Sequence, residues 1–183
     1  MAMNVHCFLK VNGADVEGDS TVTPLGREGS IECVYFEQAV KTVRSAVTGQ
    51  ATGRRQYEPI LIRKPIDRSS PLLAKALAQN SVVAAEFRFY RPNPAGDGTT
   101  EHFYTIEIKQ GRVASFKDYL PPTTEPANSL VPPLEEVGMV FNTIRWTHVP
   151  GGVEHEDTWS GLAARKAVAR PRGAAVSRRR KRT

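Results

Sequence analysis
One helix start, set between strands, constrains this chain more than any other feature. Lys64-Pro65-Ile66-Asp67-Arg68-Ser69-Ser70-Pro71 directly follows the apolar run Ile60-Leu61-Ile62. Ser70 stands where an N-cap is expected, its hydroxyl placed to take up an orphan backbone N–H. Pro71 then falls at the first helical position, where a missing N–H costs nothing. Leu72, Leu73, Ala76 and Leu77 recur at helical spacing, which predicts one apolar face and a helix ending near Asn80. Lys64, Asp67, Ser70 and Pro71 are the candidate cap and junction residues.

Strand signals dominate the rest. His6 to Val11 alternates, with Cys7, Leu9 and Val11 on one face. Tyr57–Ile62 and Val82–Tyr90 are rich in β-branched and aromatic residues. The Pro/Gly/Asn segment 92–98 predicts a hairpin between Val82–Tyr90 and His102–Lys109, and Gln110-Gly111 a second tight turn before Val113–Tyr119. Leu120–Pro133 holds five prolines and reads as a long loop. Val137–Val149 reads as a returning strand. Phe36, Val40, Val43 and Val47 also fall at helical spacing, so the segment after Phe36 is open between helix and strand. Many short strands around one helix predict a mainly β fold.

Charge divides the chain. Nine of the 25 Lys and Arg residues lie in 162–183, with no acid among them. The remaining 16 face 19 acidic residues, so the body carries a formal charge of −3 beneath a net charge of +6. The expected organisation is a domain over 1–160 and a basic, disordered tail over 161–183, ending in Arg178-Arg179-Arg180-Lys181-Arg182. Nucleic-acid or anionic-membrane binding, if it occurs, rests on that tail alone. No apolar run approaches a membrane span, so no membrane insertion is expected. The start of the sequence lacks the basic region and apolar core of a signal peptide, so export by the usual signal-dependent route is not expected.

Reactive chemistry is hard to find. His155 lies among Glu154, Glu156 and Asp157, but neighbours in an extended chain point to opposite sides and cannot easily share one ion. Ser69 and Ser70 are accounted for at the helix start, and no Gly-x-Ser-x-Gly elbow is present. Gly49-Gln50-Ala51-Thr52-Gly53-Arg54 lacks the Gly-Lys-Ser/Thr ending of a phosphate loop. Glu135 and Glu136 are adjacent and diverge on a strand. Cys7 and Cys33 are expected to be buried thiols. The expectation is no enzyme activity, no metal and no cofactor.

The ordered series of segments resembles the haemolysin-coregulated protein (Hcp) family, whose members are ring subunits of the type VI secretion tube. Ile31–Phe36 looks like the family's first long strand, and Thr48–Ile60 like its Gly/Arg-rich loop returning to a strand. Residues 64–77 are similar to the strand-to-helix junction. Glu86–Arg91 and Tyr104–Ile108 resemble the strands that follow. Leu134–Val137, Ile144–His148 and Asp157-Thr158-Trp159 resemble the last strand and its closing aromatic. The resemblance covers roughly residues 4 to 160. It implies a small β-barrel of two packed antiparallel sheets with one flanking α-helix. It further implies homo-hexameric rings that stack into a tube, with a spike protein, a contractile sheath and effector cargo as partners. Such a subunit is expected in the bacterial cytoplasm before assembly, and outside the cell or in a target cell afterwards.

Overall fold
Alternating apolar and polar residues become strands almost throughout. The structure, a computed structural model, describes residues 3–159. In chain order its strands are β1 Asn4–Val11, β2 Ala14–Val16, β3 Ile31–Cys33, β4 Tyr35–Glu37, β5 Val40–Arg44, β6 Ala51–Tyr57 and β7 Ile60–Pro65. The helix α1, Ser70–Ala78, precedes β8 Val83–Pro92, β9 Thr100–Tyr119, β10 Leu134–Val140, β11 Thr143–His148 and β12 Val153–Thr158. Ten strands hydrogen-bond into one antiparallel sheet, β5 and β6 form a separate hairpin, and neither sheet closes into a cylinder. Residues 161–183, expected as a basic tail, lie outside the described residues.

The long sheet is organised by β9. Its Tyr104–Lys109 half lies between β8 and β11, while Arg112–Tyr119 pairs with β10. The tight turn expected at Gln110-Gly111 does not form. Gln110 takes a φ of 51° and the chain runs on as one strand. A Cβ at Gly111 would sit 2.7 Å from the Val140 carbonyl oxygen and 3.1 Å from Val83 Cγ2, so only glycine permits this approach. The strand expected over Val137–Val149 is interrupted opposite the same point. β10 and β11 both run along β9, separated by Phe141 and Asn142. Asn142 donates its side-chain amide to Gln110 Oε1 at 2.8 Å and its backbone N–H to the Lys109 carbonyl at 3.2 Å.

The strand expected over Ile31–Phe36 also divides. β3 pairs with β1, β4 pairs with β7, and the Val34 N–H donates to the Arg63 carbonyl at 2.8 Å between them. Residues 31–37 thus connect the two ends of the bent sheet without forming one continuous ladder. The helical spacing after Phe36 is not used. Val40 and Val43 are 45% and 48% exposed, so no core exists for a helix there, and pairing with β6 decides the conformation. Thr48–Ile60, expected as a loop into a strand, is the turn of that hairpin, then β6 and the start of β7.

The core gathers inward residues of both halves, including Cys7, Ile31, Ile62, Phe87, Ile108 and Met139. Cys7 and Cys33 are free and buried. Burial pushes both thiols up, Cys33 to about 12, which suppresses thiolate chemistry near neutrality. Helix α1 starts one residue earlier than expected. Ser69 occupies the cap position with helical backbone angles, Ser70 is the first helical residue and Pro71 the second. At the other end Asn80 takes a left-handed φ of 48°. The Ser81 N–H reaches the Ala76 carbonyl and the Asn80 N–H the Leu77 carbonyl, a Schellman closure. Leu73 and Ala76 are the seated residues, whereas Leu72 and Leu77 are 43% and 37% exposed.

Two outcomes are expected in denaturant unfolding. Leu73→Ala costs about 2–5 kcal/mol, well above Leu72→Ala. Gly111→Ala costs about 1–3 kcal/mol through overpacking against backbone, whereas Gly53→Ala, whose nearest neighbour is Val43 Cβ at 3.7 Å, is close to neutral.

Candidate functional site
The junction residues picked out by sequence do meet. β7 delivers Lys64 inward, and its ammonium is fully buried. It bonds Asp67 Oδ1 at 2.6 Å, the Pro65 carbonyl at 3.1 Å and Ser70 Oγ at 3.2 Å. Ser70 does not cap forward into the helix. Its hydroxyl points back, accepting the Asp67 N–H at 3.0 Å, while Asp67 Oδ1 accepts the Ser69 N–H at 2.8 Å and the Ser69 hydroxyl at 2.5 Å. The carboxylate therefore does the capping expected of the hydroxyl, because it lies one turn earlier and is also drawn to the lysine. Pro71 is exposed beside the group.

Glu135 completes the junction. Residue alternation on β10 places it on the face of Val137 and Met139, and it is fully buried 2.8 Å from Lys64 Nζ. The contact lies off the hydrogen-bond line, and neither oxygen finds a hydrogen-bond donor among the described residues. Glu136 points the other way, to Arg63 Nε at 2.8 Å. The divergence of the two glutamates was legible in sequence. The partner of Glu135 was not, since it depends on β7 and β10 becoming neighbours. The junction ties β7, β10 and α1 together and offers no free nucleophile.

The histidines have local partners. His155 stacks on Trp146 with ring centroids 5.7 Å apart. His102 bonds Thr105 Oγ1 at 2.8 Å, and His148 accepts the Gly151 N–H at 3.1 Å. Among the described residues no three His, Cys, Asp or Glu side chains are grouped to hold a metal. The phosphate-loop-like stretch 49–54 is the turn and return strand of a hairpin.

Surfaces suited to assembly are better developed. The hairpin β5–β6 exposes nearly every side chain, carries Lys41, Arg44, Arg54 and Arg55, and holds no acid between Gln38 and Tyr57. Val47 at its tip is 94% exposed. Its base is fixed by Asp157 of β12, which receives the Tyr57 hydroxyl at 2.5 Å and pairs with Arg55. Tyr57 in turn packs on Phe141, Trp146 and Trp159. Burial works to raise the Asp157 pKa, but the bonds from Tyr57, the Thr158 N–H and Arg55 outweigh it and hold the carboxyl below its usual range. Burial and the same carboxylate push the Tyr57 phenol up to about 12.

The sheet also leaves several strand edges. Among the described residues β2 pairs only with β1, β4 only with β7 and β12 only with β11. Sequence reading missed these, because an edge is defined by which strands are not beside it. The basic run Arg178–Arg182 lies outside the described residues.

Two outcomes test these interactions. Lys64→Met strands buried carboxylates and costs about 3–5 kcal/mol, and adding Glu135→Leu recovers part of that in denaturant unfolding. Additive losses would show that the two charges are not coupled. For the hairpin, a carboxyl held below its unfolded value contributes stability present above roughly pH 3.9 and lost as the pH falls through the folded value. The raised Tyr57 phenol contributes up to about pH 10, and that contribution is lost towards about 12. Amide exchange in β6 should therefore speed up at both extremes, and Asp157→Asn should remove the acid limb.

Comparison with known proteins agrees with this architecture. The family model described as "Type VI secretion system effector, Hcp" matches residues 8–148. The "Major exported protein" of Pseudomonas aeruginosa is 33% identical over 140 residues, covering 76% of this chain and 80% of that protein. The solved Hcp1 protein from E. coli EAEC 042 superposes with a TM-score of 0.73 at 31% identity, covering 86% of this chain and 99% of that one. The secreted protein Hcp3 from Pseudomonas aeruginosa shares the fold, with a TM-score of 0.67 at 23% identity over 86% of this chain and 99% of that one.

Proposed function
The chain belongs to the Hcp family of type VI secretion proteins, and on that premise we propose that it is a tube subunit whose copies close head to tail into six-membered rings. The family is one of secreted structural proteins rather than of enzymes. The rings stack into a hollow tube whose lumen carries effector cargo, with a spike protein at its end and a contractile sheath around it. The subunit is made in the bacterial cytoplasm and leaves through this machine, in keeping with the exported relative it resembles. Residues 1–160 are the ring-forming domain and 161–183 an appendage to it.

The observation that carries this reading is that the sheet leaves unlike strand edges, β2 and β12 among them. A ring needs two different complementary patches per subunit, since a self-complementary patch closes a dimer and stops. A free strand edge is a ready template for another chain. β2 and β12 supply one such edge each. The basic hairpin supplies a further contact, directed away from the sheet and fixed at its base by Asp157, which suits the joining of one ring to the next.

Native mass measurement tests the reading. The expected particle holds six copies of the 20.2 kDa chain and appears as a ring in negative stain. A twofold dimer as the sole species, or a monomer at high concentration, would overturn it.

A further inference from the structure
We infer that the aromatic mouth between β4 and the facing strands β8, β9 and β11 is a binding site for a methylated ammonium group of the choline type. The inference goes beyond the assembly proposed above and does not depend on it. Strand register builds the site. Phe89 lies opposite Tyr104, Phe87 opposite Ile106, and Ile106 opposite Trp146. Alternation along each strand therefore sets Phe89, Tyr104, Ile106 and Trp146 on one face, the face of the core. Phe36 reaches them from β4, in the other half of the sheet, with its ring centroid 5.0 Å from Phe87 and 5.1 Å from Phe89. Among the described residues β4 pairs only with β7, so no strand closes the gap on its other side. The core aromatics there are left lining an open cavity of about 450 Å³.

Three properties of the cavity select the ligand. Phe36, Phe89 and Tyr104 are half-buried and adjoin in turn, Phe89 and Tyr104 with centroids 5.7 Å apart. A cation is attracted to a ring from within about 6 Å of its centroid, so rings spaced this closely can share one ammonium. Among the described residues none of the three has a Lys or Arg over its ring, whereas Phe8, Tyr35, Tyr90, Phe103 and Tyr119 all do. Second, Glu37 is the one charged residue of the lining. Its carboxylate receives the Tyr35 hydroxyl at 2.6 Å and forms no ion pair among the described residues. A negative charge without a counter-charge thus stands beside the rings, which favours a cation and disfavours a carboxylate. Third, Gln38 has a donor to spare. Its Oε1 accepts the Trp146 indole N–H at 3.2 Å, while its buried Nε2 meets no acceptor among the described residues. A hydroxyl carried beside the ammonium, as in choline, supplies that acceptor. Methylation suits the aromatic walls because it spreads the charge over apolar surface, whereas a bare ammonium gives up its water at greater cost.

The test titrates the full chain with choline chloride and follows tryptophan fluorescence, with sodium chloride at equal ionic strength as the reference. The expected result is a saturable response. Choline should bind several-fold more tightly than its neutral isostere, in which a quaternary carbon replaces the nitrogen. Ethanolamine, which keeps the charge and the hydroxyl but lacks the methyl groups, should bind several-fold more weakly than choline. Glu37→Gln, at an exposed position, should weaken choline several-fold and leave the neutral isostere unchanged. Tyr104→Leu, which keeps apolar volume but removes a ring, should weaken choline further. Co-sedimentation with vesicles identifies the source of the group. Retention by phosphatidylcholine vesicles and not by phosphatidylglycerol vesicles assigns it to a lipid headgroup, and binding of free choline without retention assigns it to a soluble compound. No saturable response to choline and no retention by phosphatidylcholine overturns the inference. Equal affinity for choline and its neutral isostere also overturns it, and makes the mouth an apolar slot.

Discussion
The bend in β9 is the constraint on which the rest of the architecture depends. One strand of twenty residues serves two partners in succession, because Gln110 turns left-handed and Gly111 presents no side chain to the Val140 carbonyl. The interruption between β10 and β11 answers it from the facing side. The N-terminal half of β9 then belongs with β8, β11 and β12, and the other half with β10, β7 and β4. The two inner faces enclose one core, and the partition decides which strands are left at the margins. The free edges proposed for assembly are thus consequences of a backbone event in the middle of the fold.

The second fixed point is Lys64. A buried ammonium holding two carboxylates is a poor source of net stability, because desolvation offsets most of the attraction. It is directional, however, and it ties three elements at once: β7 through its own backbone, the start of α1 through Asp67 and Ser70, and β10 through Glu135. Removing one partner leaves uncompensated charge among Cys7, Cys33 and their neighbours. The junction recognised in the sequence is a structural clamp, and the surfaces proposed for assembly lie elsewhere, on the hairpin and the sheet margins.

The sheet margins and the hairpin carry charge of opposite sign. Acidic side chains on exposed edges discourage indiscriminate strand pairing. An edge protected in this way must be neutralised when the correct partner docks. The hairpin differs: its basic side chains and exposed valines are held out by the Tyr57–Asp157 anchor, whose strength follows the protonation of both groups.

The sequence alone determined the class of fold, the single helix, most strand positions and the division of charge at residue 161, because these follow from local periodicity, capping chemistry and composition. It also carried the ordered resemblance that pointed to the family. Local signals went wrong where two patterns fitted equally well. Gln110-Gly111 reads as a turn but is a bend within a strand, and Phe36–Val47 fits a helix until β6 pairs with it. Ser70 reads as a cap until Asp67 is held in its place by Lys64. Only the tertiary structure decided that Glu135 meets Lys64, that Asp157 anchors Tyr57, and that β2 and β12 are each left with a partner on one side only among the described residues. Each of these depends on which distant segments become neighbours, and no local preference along a chain encodes that choice.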